Sequence, residues 1–381
     1  MLEKFLESKP LYYDVIDHTR MPKAYGSIKH KIIIPKIIHI VGTNGKGTTG
    51  RFIATALQNN GYKVSHYTSP HILNFNERIW IDGADIDKER LNDAHLELKN
   101  ILSDKFIETL SYFEYTTLLA LFVSQDVDYL ILEAGLGGEY DATSVFKNIL
   151  TVVTPIDIDH EMFLGNSIKD IATTKLNAIQ KQAIISKQKH QDVYKVALEL
   201  SQKKGLDIFK TSDLIDEDDK TKLIKIAQEQ NLAPYLKENL STAIAVLNHL
   251  GIAYKVSDFQ NSRLFGRVTQ LKKNIILDVG HNLLAAQSIK DSLKENKYTL
   301  VYNSFKDKDY TQILKVLKPI IKDVELIEIN DTRAEDISKI EFILDSLDIQ
   351  HKKFEDIQDD KEYLVFGSFS VAEAFLRFID G

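Results

Sequence analysis

The chain has 381 residues, of which 44% are hydrophobic, and a formal net charge of −7. This length and composition predict a substantial core divided between two domains, and the negative charge argues against an extended nucleic-acid surface. The absence of cysteine excludes disulfides, zinc–thiolate sites and a cysteine nucleophile. No apolar run is long enough for a signal peptide or a membrane span, which predicts a cytoplasmic protein with no membrane partner.

Along the first two thirds of the chain, apolar strand-like runs alternate with helical patterns. Residues 36–41, 63–69, 127–135 and 148–156 are predicted strands. Helical patterns cover residues 48–62 and 114–126. This alternation predicts a mostly parallel sheet covered by helices on both faces. The charged run "DEDDKTK", residues 216–222, is predicted to be a solvated turn.

Near residues 259–267 the alternation starts again. The later strand-like runs are residues 274–280, 298–304, 323–329 and 362–368. We therefore predict an α/β fold class with two domains, a larger one over residues 1–258 and a smaller, Rossmann-like one over residues 259–381.

The stretch "IIHIVGTNGKGTTGRF", residues 37–52, has the composition of a phosphate-binding loop but not its usual spacing. A buried strand enters the loop and a helix leaves it, so the first helical amides and the helix dipole favour an anion there. Lys46 supplies a positive charge, and a hydroxyl of Thr48 or Thr49 can reach Mg²⁺. The alternative is an ordinary glycine-rich turn, but the combination predicts nucleotide binding.

The octapeptide "GTNGKGTT" is similar to the ATP loop of the Mur ligase superfamily, and its ending resembles the folylpolyglutamate synthase/dihydrofolate synthase branch. Further segments resemble that branch in the same order along most of the chain. They are "YTSPHILNFNERIWIDG" (67–83), "LEAGLGGEYDATSVF" (132–146), "TPIDIDHEMFLGNSIKDIATTK" (154–175), "FGRVTQ" (265–270), "ILDVGHNLLAA" (276–286) and "FGSFSVAEAFL" (366–376).

The resemblance implies a P-loop ATPase domain of the Mur-ligase central-domain type, with the folate site, and a C-terminal domain that closes over ATP and binds glutamate. The implied activity is an ADP-forming amide ligase that joins L-glutamate to dihydropteroate or to a reduced folate through an acyl phosphate. The implied ligands are ATP and two Mg²⁺ ions, and a monomer is expected.

The sequence suggests a metal site at the ends of two strands. Glu133 and His160 each follow a buried strand, where open α/β sheets place their ligand crevice. The resemblance implies that these two residues bind one Mg²⁺ and that Thr48 and Ser69 bind the other. The alternatives are a solvated loop glutamate and a structural loop histidine.

Further site residues follow from the resemblance. Lys175 would be carbamylated, which requires a neutral amine and hence a lowered pKa; its alternative is a solvent-facing helix lysine. Its setting, "TKLNAI", departs from the family's E-K-A-G-I. Asn239 would contact adenine, or it is simply a residue near the start of a helix. Asp141 either caps the next segment or faces the substrate.

In the second domain, Arg267, Asp278 and His281 would complete the ATP site after domain closure. The alternatives for Arg267 are a surface salt bridge and a role in a hinge. The implied catalytic residues are Lys46, His160, Lys175, Arg267 and Asp278. The implied nucleotide-binding residues are Thr43, Asn44, Gly45, Lys46, Gly47, Thr48, Thr49, Asn239, Arg267, Asp278 and His281. The pterin pocket is predicted around residues 15–27 and 74–78.

Three other functions compete with this interpretation. A cell-wall Mur ligase would need an N-terminal domain for a UDP-sugar, and only about 35 residues precede the loop. A P-loop kinase or GTPase would lack the second α/β domain, and no guanine-reading N-K-x-D occurs. A non-catalytic nucleotide-binding scaffold stays open, as does another Mur-type amino-acid ligase.

Overall fold

The structure, a computed structural model, describes residues 1–11, 13 and 17–380. These residues form two compact units. The first contains residues 1–230 and 238–262, and the second contains residues 231–237 and the chain from Arg263 onwards.

The first unit is built on a sheet that has eight strands within the described part of the chain. Its strands are β1 (Lys36–Val41), β2 (Val64–Tyr67), β3 (Ile79–Ile81), β4 (Ala84–Asp85), β5 (Tyr129–Glu133), β6 (Leu150–Val153), β7 (Gln182–Ile185) and β8 (Asp207–Lys210). Its helices are α1 (Leu2–Glu7), α2 (Arg20–Ile28), α3 (Lys46–Asn59), α4 (Lys88–Ile101), α5 (Asp104–Thr109), α6 (Tyr112–Val123), α7 (Glu161–Leu164), α8 (Ile168–Leu176), α9 (Gln191–Lys204), α10 (Glu217–Glu229) and α11 (Pro234–His249), the last of which begins with residues of the second unit.

The strand order is β4-β3-β2-β5-β1-β6-β7-β8. All neighbours are parallel except the pairs β2–β3 and β3–β4. After β1 the chain crosses to β2 on one side, and after β6 it crosses to β7 on the other side. The β1–β6 boundary is therefore a topological switch point. The register pairs Ile40 with Glu133 and Val41 with Val153, so the loops after β1, β5 and β6 leave the same edge of the sheet.

Helices cover both faces of this sheet because its central strands are apolar along almost their whole length. One core cluster joins α4 and α6 to β5, for example Leu98, Leu119 and Leu130. A second cluster joins α8 and α9 to β7 on the same face. The opposite face, which includes the fully buried Ile38 and Ile131, lies against α3. The prediction of a mostly parallel, doubly covered sheet is confirmed.

The second unit has its own sheet, with six strands among the described residues in the order β13-β12-β11-β14-β10-β9. Its strands are β9 (Thr269–Lys272), β10 (Ile275–Asp278), β11 (Tyr298–Tyr302), β12 (Ile321–Leu326), β13 (His351–Lys353) and β14 (Tyr363–Phe366). Its helices are α12 (Leu283–Leu293), α13 (Tyr310–Leu317), α14 (Ile337–Ser346) and α15 (Phe369–Asp380). Only β9 is antiparallel in this described sheet, so the smaller α/β domain is also confirmed.

One local prediction is wrong. Residues 216–222 are not a solvated turn, because Asp216 caps the N-terminus of α10 and the following acidic residues form its first turn. The Asp216 side chain accepts a hydrogen bond from the amide of Asp219, and the Asp219 side chain accepts one from the amide of Asp216. These two bonds satisfy two backbone donors at the helix end. None of the helices in the described chain has the length and apolar character needed to cross a membrane.

Candidate active site

The loop between β1 and α3 is shaped by two glycines. Gly45 has φ 82° and directly precedes α3, a left-handed conformation that costs glycine little. Gly42 has φ 149°, and a Cβ atom there would lie 2.0 Å from Oγ1 of Thr154 at the end of β6. The chain segments that follow β1 and β6 can therefore approach this closely only because position 42 has no side chain.

The backbone amides of this loop divide into two sets. Those of Thr43 and Asn44 donate to the carbonyl oxygen of Pro155 at 2.9 and 3.2 Å. The amides at the start of α3, from Lys46 onwards, lie in the first turn of the helix and therefore have no carbonyl acceptor within the helix. Thr43 and Asn44 are predicted nucleotide ligands, but their amides are used inside the protein. An anion at this loop would therefore meet the amides at the start of α3.

Lys46 and Glu133 form an ion pair at the end of the sheet. Nζ of Lys46 lies 3.6 Å from Oε1 of Glu133 and donates to the carbonyl oxygen of Thr43 at 3.3 Å. Oε2 of Glu133 accepts from the amide of Ser69 at 3.4 Å. Glu133 is buried, and a buried carboxylate is stable only when such partners compensate its lost hydration. The fold thus brings Lys46, Glu133 and Ser69 together.

Thr48, two residues after Lys46 on α3, has a buried hydroxyl oxygen. Its side chain is only 2% exposed, and Oγ1 has no hydrogen-bond partner among the described residues. The buried hydroxyl of Thr49 also has no hydrogen-bond partner among the described residues. A buried unsatisfied hydroxyl costs about 1–3 kcal/mol, which a ligand would recover. A hydroxyl oxygen is a hard donor of the kind Mg²⁺ accepts, so the residues present fit a Mg²⁺–nucleotide complex.

His160 follows β6 and begins α7 with φ 54°, a left-handed conformation unusual for histidine. Its amide donates to Oδ1 of Asp159 at 2.9 Å, and its Nε2 lies 4.0 Å from the other oxygen of that carboxylate. Across the described chain, no group of three or more His, Asp or Glu side chains is placed to hold a metal ion. Metal binding by His160 with Glu133 therefore depends on hydroxyl oxygens as further ligands and stays a prediction.

Lys175 lies on α8 with its amine buried in the same region. Its Nζ donates to the carbonyl oxygen of Gly42 at 2.9 Å. Burial, followed by the charge of Lys46, lowers the pKa of Lys175 to about 7, against the opposing pull of Asp159 and Asp141. A large fraction of this amine is therefore neutral near neutral pH. The alternative of a solvent-facing helix lysine is wrong.

The glycine loop after Glu133 packs directly on the helix that carries Lys175. A Cβ atom on Gly138 would lie 2.6 Å from the carbonyl oxygen of Lys175. Asp141 ends this loop as a cap: it accepts from the amide of Thr143 at 2.9 Å and from that of Leu136 at 2.9 Å. Both oxygens are thus engaged, and burial raises the pKa of Asp141. Asp141 was predicted either to cap the next segment or to face the substrate, and the structure shows that it is a cap.

Asn239 lies against the phosphate loop. A Cβ atom on Gly45 would come within 2.5 Å of Oδ1 of Asn239, whose side chain is buried. Its Nδ2 has no hydrogen-bond partner within the described chain. The position beside the loop suits a contact with a bound nucleotide, although adenine recognition itself stays a prediction.

The predicted pterin region has a well-ordered hydrogen-bond pattern after β2. Glu77 accepts from the amides of Ile72, Leu73 and Asn74 at 2.7, 2.8 and 2.6 Å. Arg78 donates to Nδ1 of His71 at 2.8 Å. Burial, helped by the Arg78 charge, lowers the pKa of His71 to about 4, so its ring is neutral at neutral pH.

The other predicted pterin segment contacts the glycine loop that follows Glu133. In residues 15–27, His18 stacks on Tyr140 with ring centroids 4.2 Å apart. Val15 and Ile16 lie outside the described residues.

In the second unit, Asp278 ends β10 with both carboxylate oxygens occupied. Oδ2 accepts from the hydroxyl of Tyr235 at 2.9 Å and from the amide of Val268 at 3.0 Å. Oδ1 accepts from the amide of Gly280 at 2.8 Å. Burial raises the pKa of Asp278, and the nearby Arg267 opposes this shift. The carboxylate thus fixes the segment that carries Arg267.

Arg267 points its guanidinium toward the start of α15. It donates to the carbonyl oxygen of Gly266 at 3.1 Å, and the guanidinium carbon lies 5.5 Å from the ring centre of Phe369. His281 is near the same strand end, with Nδ1 3.2 Å from the carbonyl oxygen of Val279. Within the second unit, Arg267, Asp278 and His281 therefore share one edge of the sheet.

Three residues that hold the loops around the site from outside are not among the predicted site residues. Asp157 and His190 form a side-chain contact at 2.9 Å, and Gln188 binds the backbone of residue 156 at 2.9 Å. A signal was available for Asp157, because it follows the end of a buried strand in the way that Glu133 does. No comparable signal exists for Gln188 and His190.

Comparison with known proteins gives a consistent result. No protein-family model matches the chain. The dihydrofolate synthase/folylpolyglutamate synthase of Haemophilus influenzae is 31% identical over 346 residues, which cover 79% of this chain and 76% of that protein. The crystal structure of Helicobacter pylori folylpolyglutamate synthetase is 37% identical, with a TM-score of 0.82, and covers 100% of this chain and 98% of that one.

A third protein shows likeness of fold alone. The bifunctional folylpolyglutamate synthase/dihydrofolate synthase of Yersinia pestis, solved with AMPPNP and a Mn ion, is 23% identical to this chain. Its TM-score is 0.81, and the match covers 100% of this chain and 97% of that structure.

Proposed function

Because this chain belongs to the dihydrofolate synthase/folylpolyglutamate synthase family, whose members are ADP-forming ligases, we propose a residue-level mechanism for its reaction. The chain is an ATP-dependent ligase that joins glutamate to folate substrates. The observation that carries the mechanism is the grouping of the Lys46–Glu133 pair with the buried, unsatisfied hydroxyl of Thr48 at the start of α3.

The nucleotide binds with its phosphates at the start of α3. The amides there and the helix dipole favour the phosphate charge, and Lys46 adds a mobile positive charge. Asn239, which lies against the same loop, contacts the adenine. In the absence of nucleotide, Glu133 provides the charge partner that keeps Lys46 within the site.

Two divalent ions accompany the nucleotide, with Mg²⁺ as the physiological ion. Thr48 and Ser69 would hold the ion nearest the γ-phosphate, and Glu133 and His160 would hold the other. The Mn ion and AMPPNP in the structure from Yersinia pestis support divalent metal with nucleotide in this fold. When bound, the metal supplies charge that stabilises the transferring phosphoryl group.

Lys175 is carbamylated in the active enzyme. Reaction with CO₂ requires the neutral amine, and burial beside Lys46 supplies it by lowering the pKa. The product is a negatively charged carbamate, which suits a site that holds metal and phosphate. Removing CO₂ and bicarbonate should lower the activity, and restoring bicarbonate should recover it. A Lys175→Ala variant should not respond, and an unchanged rate without CO₂ would rule the carbamate out.

The chain's own residues then carry the reaction. Phosphoryl transfer depends mainly on positioning and on neutralisation of charge, which Lys46 and Arg267 supply. The phosphoryl group moves from ATP to the folate carboxylate, giving an acyl phosphate and ADP. The glutamate amine attacks the acyl carbon, and phosphate leaves with the former carboxylate oxygen.

The two domains divide this work. Residues 1–258 form the ATP-binding domain with the folate site, and the pterin binds near residues 15–27 and 74–78. Residues 259–381 bind glutamate and, on closure, bring Arg267, Asp278 and His281 to the ATP. The enzyme acts as a cytoplasmic monomer on small-molecule substrates, without nucleic-acid or membrane partners.

ADP release tests the function and identifies the folate substrate. The reaction contains Mg²⁺-ATP and L-glutamate, with either dihydropteroate or tetrahydrofolate added. Stimulation by dihydropteroate alone identifies a dihydrofolate synthase, by tetrahydrofolate alone a folylpolyglutamate synthase, and by both a bifunctional enzyme. No stimulation by either, from folded protein that binds ATP, would contradict the proposal in favour of another substrate or a scaffold.

A further inference from the structure

Three loops meet at the switch point of the first sheet. The phosphate loop (residues 42–45) follows β1, the histidine loop (154–160) follows β6, and the outer loop (186–190) follows β7. Because β1, β6 and β7 are neighbours in the sheet, the histidine loop lies between the other two. It therefore separates the predicted phosphate ligands from the outer edge of the sheet.

Thr43 joins the phosphate loop to the histidine loop. Its Oγ1 lies 3.1 Å from the carbonyl oxygen of Asp157, to which it donates, and accepts from the amide of Asp157 at 3.1 Å. The amides of Thr43 and Asn44 both donate to the carbonyl oxygen of Pro155. The conformation of the phosphate loop thus depends on where the backbone of residues 155–157 lies.

The outer loop holds that same backbone from the other side. The buried side chain of Gln188 accepts from the amide of Ile156 at 2.9 Å and donates to the carbonyl oxygen of Thr154 at 3.3 Å. These contacts fix the first half of the histidine loop. The second half, which leads to His160, depends on Asp157.

The carboxylate of Asp157 links the histidine loop to the outer loop. Oδ1 lies 2.9 Å from Nε2 of His190 and accepts from the amide of Ile158 at 2.9 Å. Oδ2 lies 3.5 Å from Nζ of Lys189. His190 precedes α9 but makes no side-chain cap there, so its ring is directed to Asp157 instead. The Asp157 side chain is only 12% exposed, which makes the loss of these partners costly.

We propose that Asp157, through His190, is a positioning residue for Mg²⁺–nucleotide binding. It holds the histidine loop so that Thr43 keeps the phosphate loop in shape and His160 keeps its place. This inference rests on the proposed nucleotide site but not on the identity of the folate. Partners that orient metal ligands from behind typically change metal affinity about 10–100-fold when removed.

The test measures ADP binding by calorimetry with and without Mg²⁺, in the full chain and without folate or glutamate. Asp157→Ala should weaken Mg²⁺-dependent ADP binding by about 10-fold or more. Asp157→Asn, which keeps an oxygen to accept from His190, should recover most of the affinity. Asp192→Ala, which removes an exposed carboxylate two residues after His190, should bind like the unchanged chain.

His190→Ala provides a second variant, because its ring is partly exposed and its loss is less able to prevent folding. Alone, His190→Ala should also weaken Mg²⁺-dependent ADP binding. Combined with Asp157→Ala, it should weaken binding no further than Asp157→Ala does alone. Unchanged affinity in His190→Ala, or strictly additive effects, would overturn the proposal. A ligase assay that fails while these binding effects persist would instead reject the folate function and leave this inference standing.

Discussion

Lys46, the predicted phosphate ligand, makes weak contacts with the protein. Its amine is 3.6 Å from Glu133 and 3.3 Å from a backbone oxygen, both longer than strong charge-assisted bonds. The side chain can therefore turn toward an incoming phosphate at little cost. This fits a role in transition-state stabilisation better than a role in holding the fold together.

Lys46→Ala should lower turnover by about 100-fold or more, because a preorganised charge at the transferring phosphoryl group is lost. Circular dichroism should show an unchanged fold. Lys105→Ala, at an exposed position of α5, is the matched control and should retain full activity. Turnover within a few-fold of the unchanged chain would reject the phosphate-loop assignment.

Lys175 should make stability depend on pH in a defined direction. Its folded pKa of about 7 lies below the ordinary value of 10.5, so between these values the unfolded chain binds more protons. Below about pH 7 the buried amine is charged, and the cost of burying this charge lowers the free energy of unfolding. As the pH rises, the amine of the folded protein loses its proton and this cost disappears.

The free energy of unfolding relative to Lys175→Met should therefore increase by up to about 1.4 kcal/mol per pH unit above pH 7. Urea denaturation of both proteins in CO₂-free buffer measures this difference. Parallel stability profiles would show that the amine is not buried as a neutral group.

For individual residues, the sequence identified candidates for the site but not the groups that those residues contact. Glu133 could be found from the end of a strand, and Lys175 from the family resemblance. The burial of the Lys175 amine against the carbonyl of Gly42 could not, because it is a contact between distant segments. For the same reason Asp141 could not be assigned as a cap until its acceptor bonds were visible. Side-chain partners depend on packing that local pattern does not encode.

Among the elements, the start of α3 depends most on a single backbone conformation. Gly45 combines a left-handed φ of 82° with close packing against Asn239. Gly61, just beyond the other end of the same helix, has φ 89° but open space where a Cβ would lie. Comparing substitutions at the two positions therefore distinguishes the effect of backbone strain from the effect of disturbing the predicted site.

Gly45→Ala and Gly61→Ala should each lower stability, by about 1 kcal/mol from backbone strain. Only Gly45→Ala should also weaken ADP binding, by about 10-fold or more, because its Cβ displaces Asn239 or the loop. Thermal unfolding and calorimetry on both variants give the comparison. Equal ADP affinities in the two variants would contradict the assigned role of this loop.

Strong apolar periodicity predicted the central elements well, and the edge elements were missed. The predicted strand 36–41 coincides with β1, whereas the short β3–β4 hairpin was overlooked. Its turn contains Asp82 and Gly83, both with positive φ, and an Asp-Gly pair is a known hairpin signal. Edge strands of two or three residues carry too little hydrophobic pattern to be recognised without such turn chemistry.

At the level of the whole molecule, each sheet carries its predicted site residues at one edge. The first holds Lys46, Glu133 and Lys175, and the second holds Arg267 and Asp278. The two-domain organisation was predictable because the strand–helix alternation restarts in the sequence. The division of α11 between the units was not, because a continuous helix gives no local boundary signal.

Arg267→Ala should lower turnover by about 100-fold while changing ADP affinity by less than about three-fold, since its charge acts mainly on the transition state. Steady-state kinetics and calorimetry measure the two quantities separately. Arg377→Ala, an exposed arginine on α15, should leave both unchanged. A loss of ADP affinity as large as the loss of turnover would instead assign Arg267 to ground-state nucleotide binding.

The most direct measurement follows an oxygen atom through the reaction. The folate substrate is prepared with oxygen-18 in the carboxylate that accepts glutamate, and the released phosphate is analysed by mass spectrometry. An acyl phosphate transfers one labelled oxygen to each phosphate formed in a glutamate-dependent turnover. Phosphate that carries no label would show that the carboxylate is never phosphorylated, and would contradict the ligase mechanism assigned to this site.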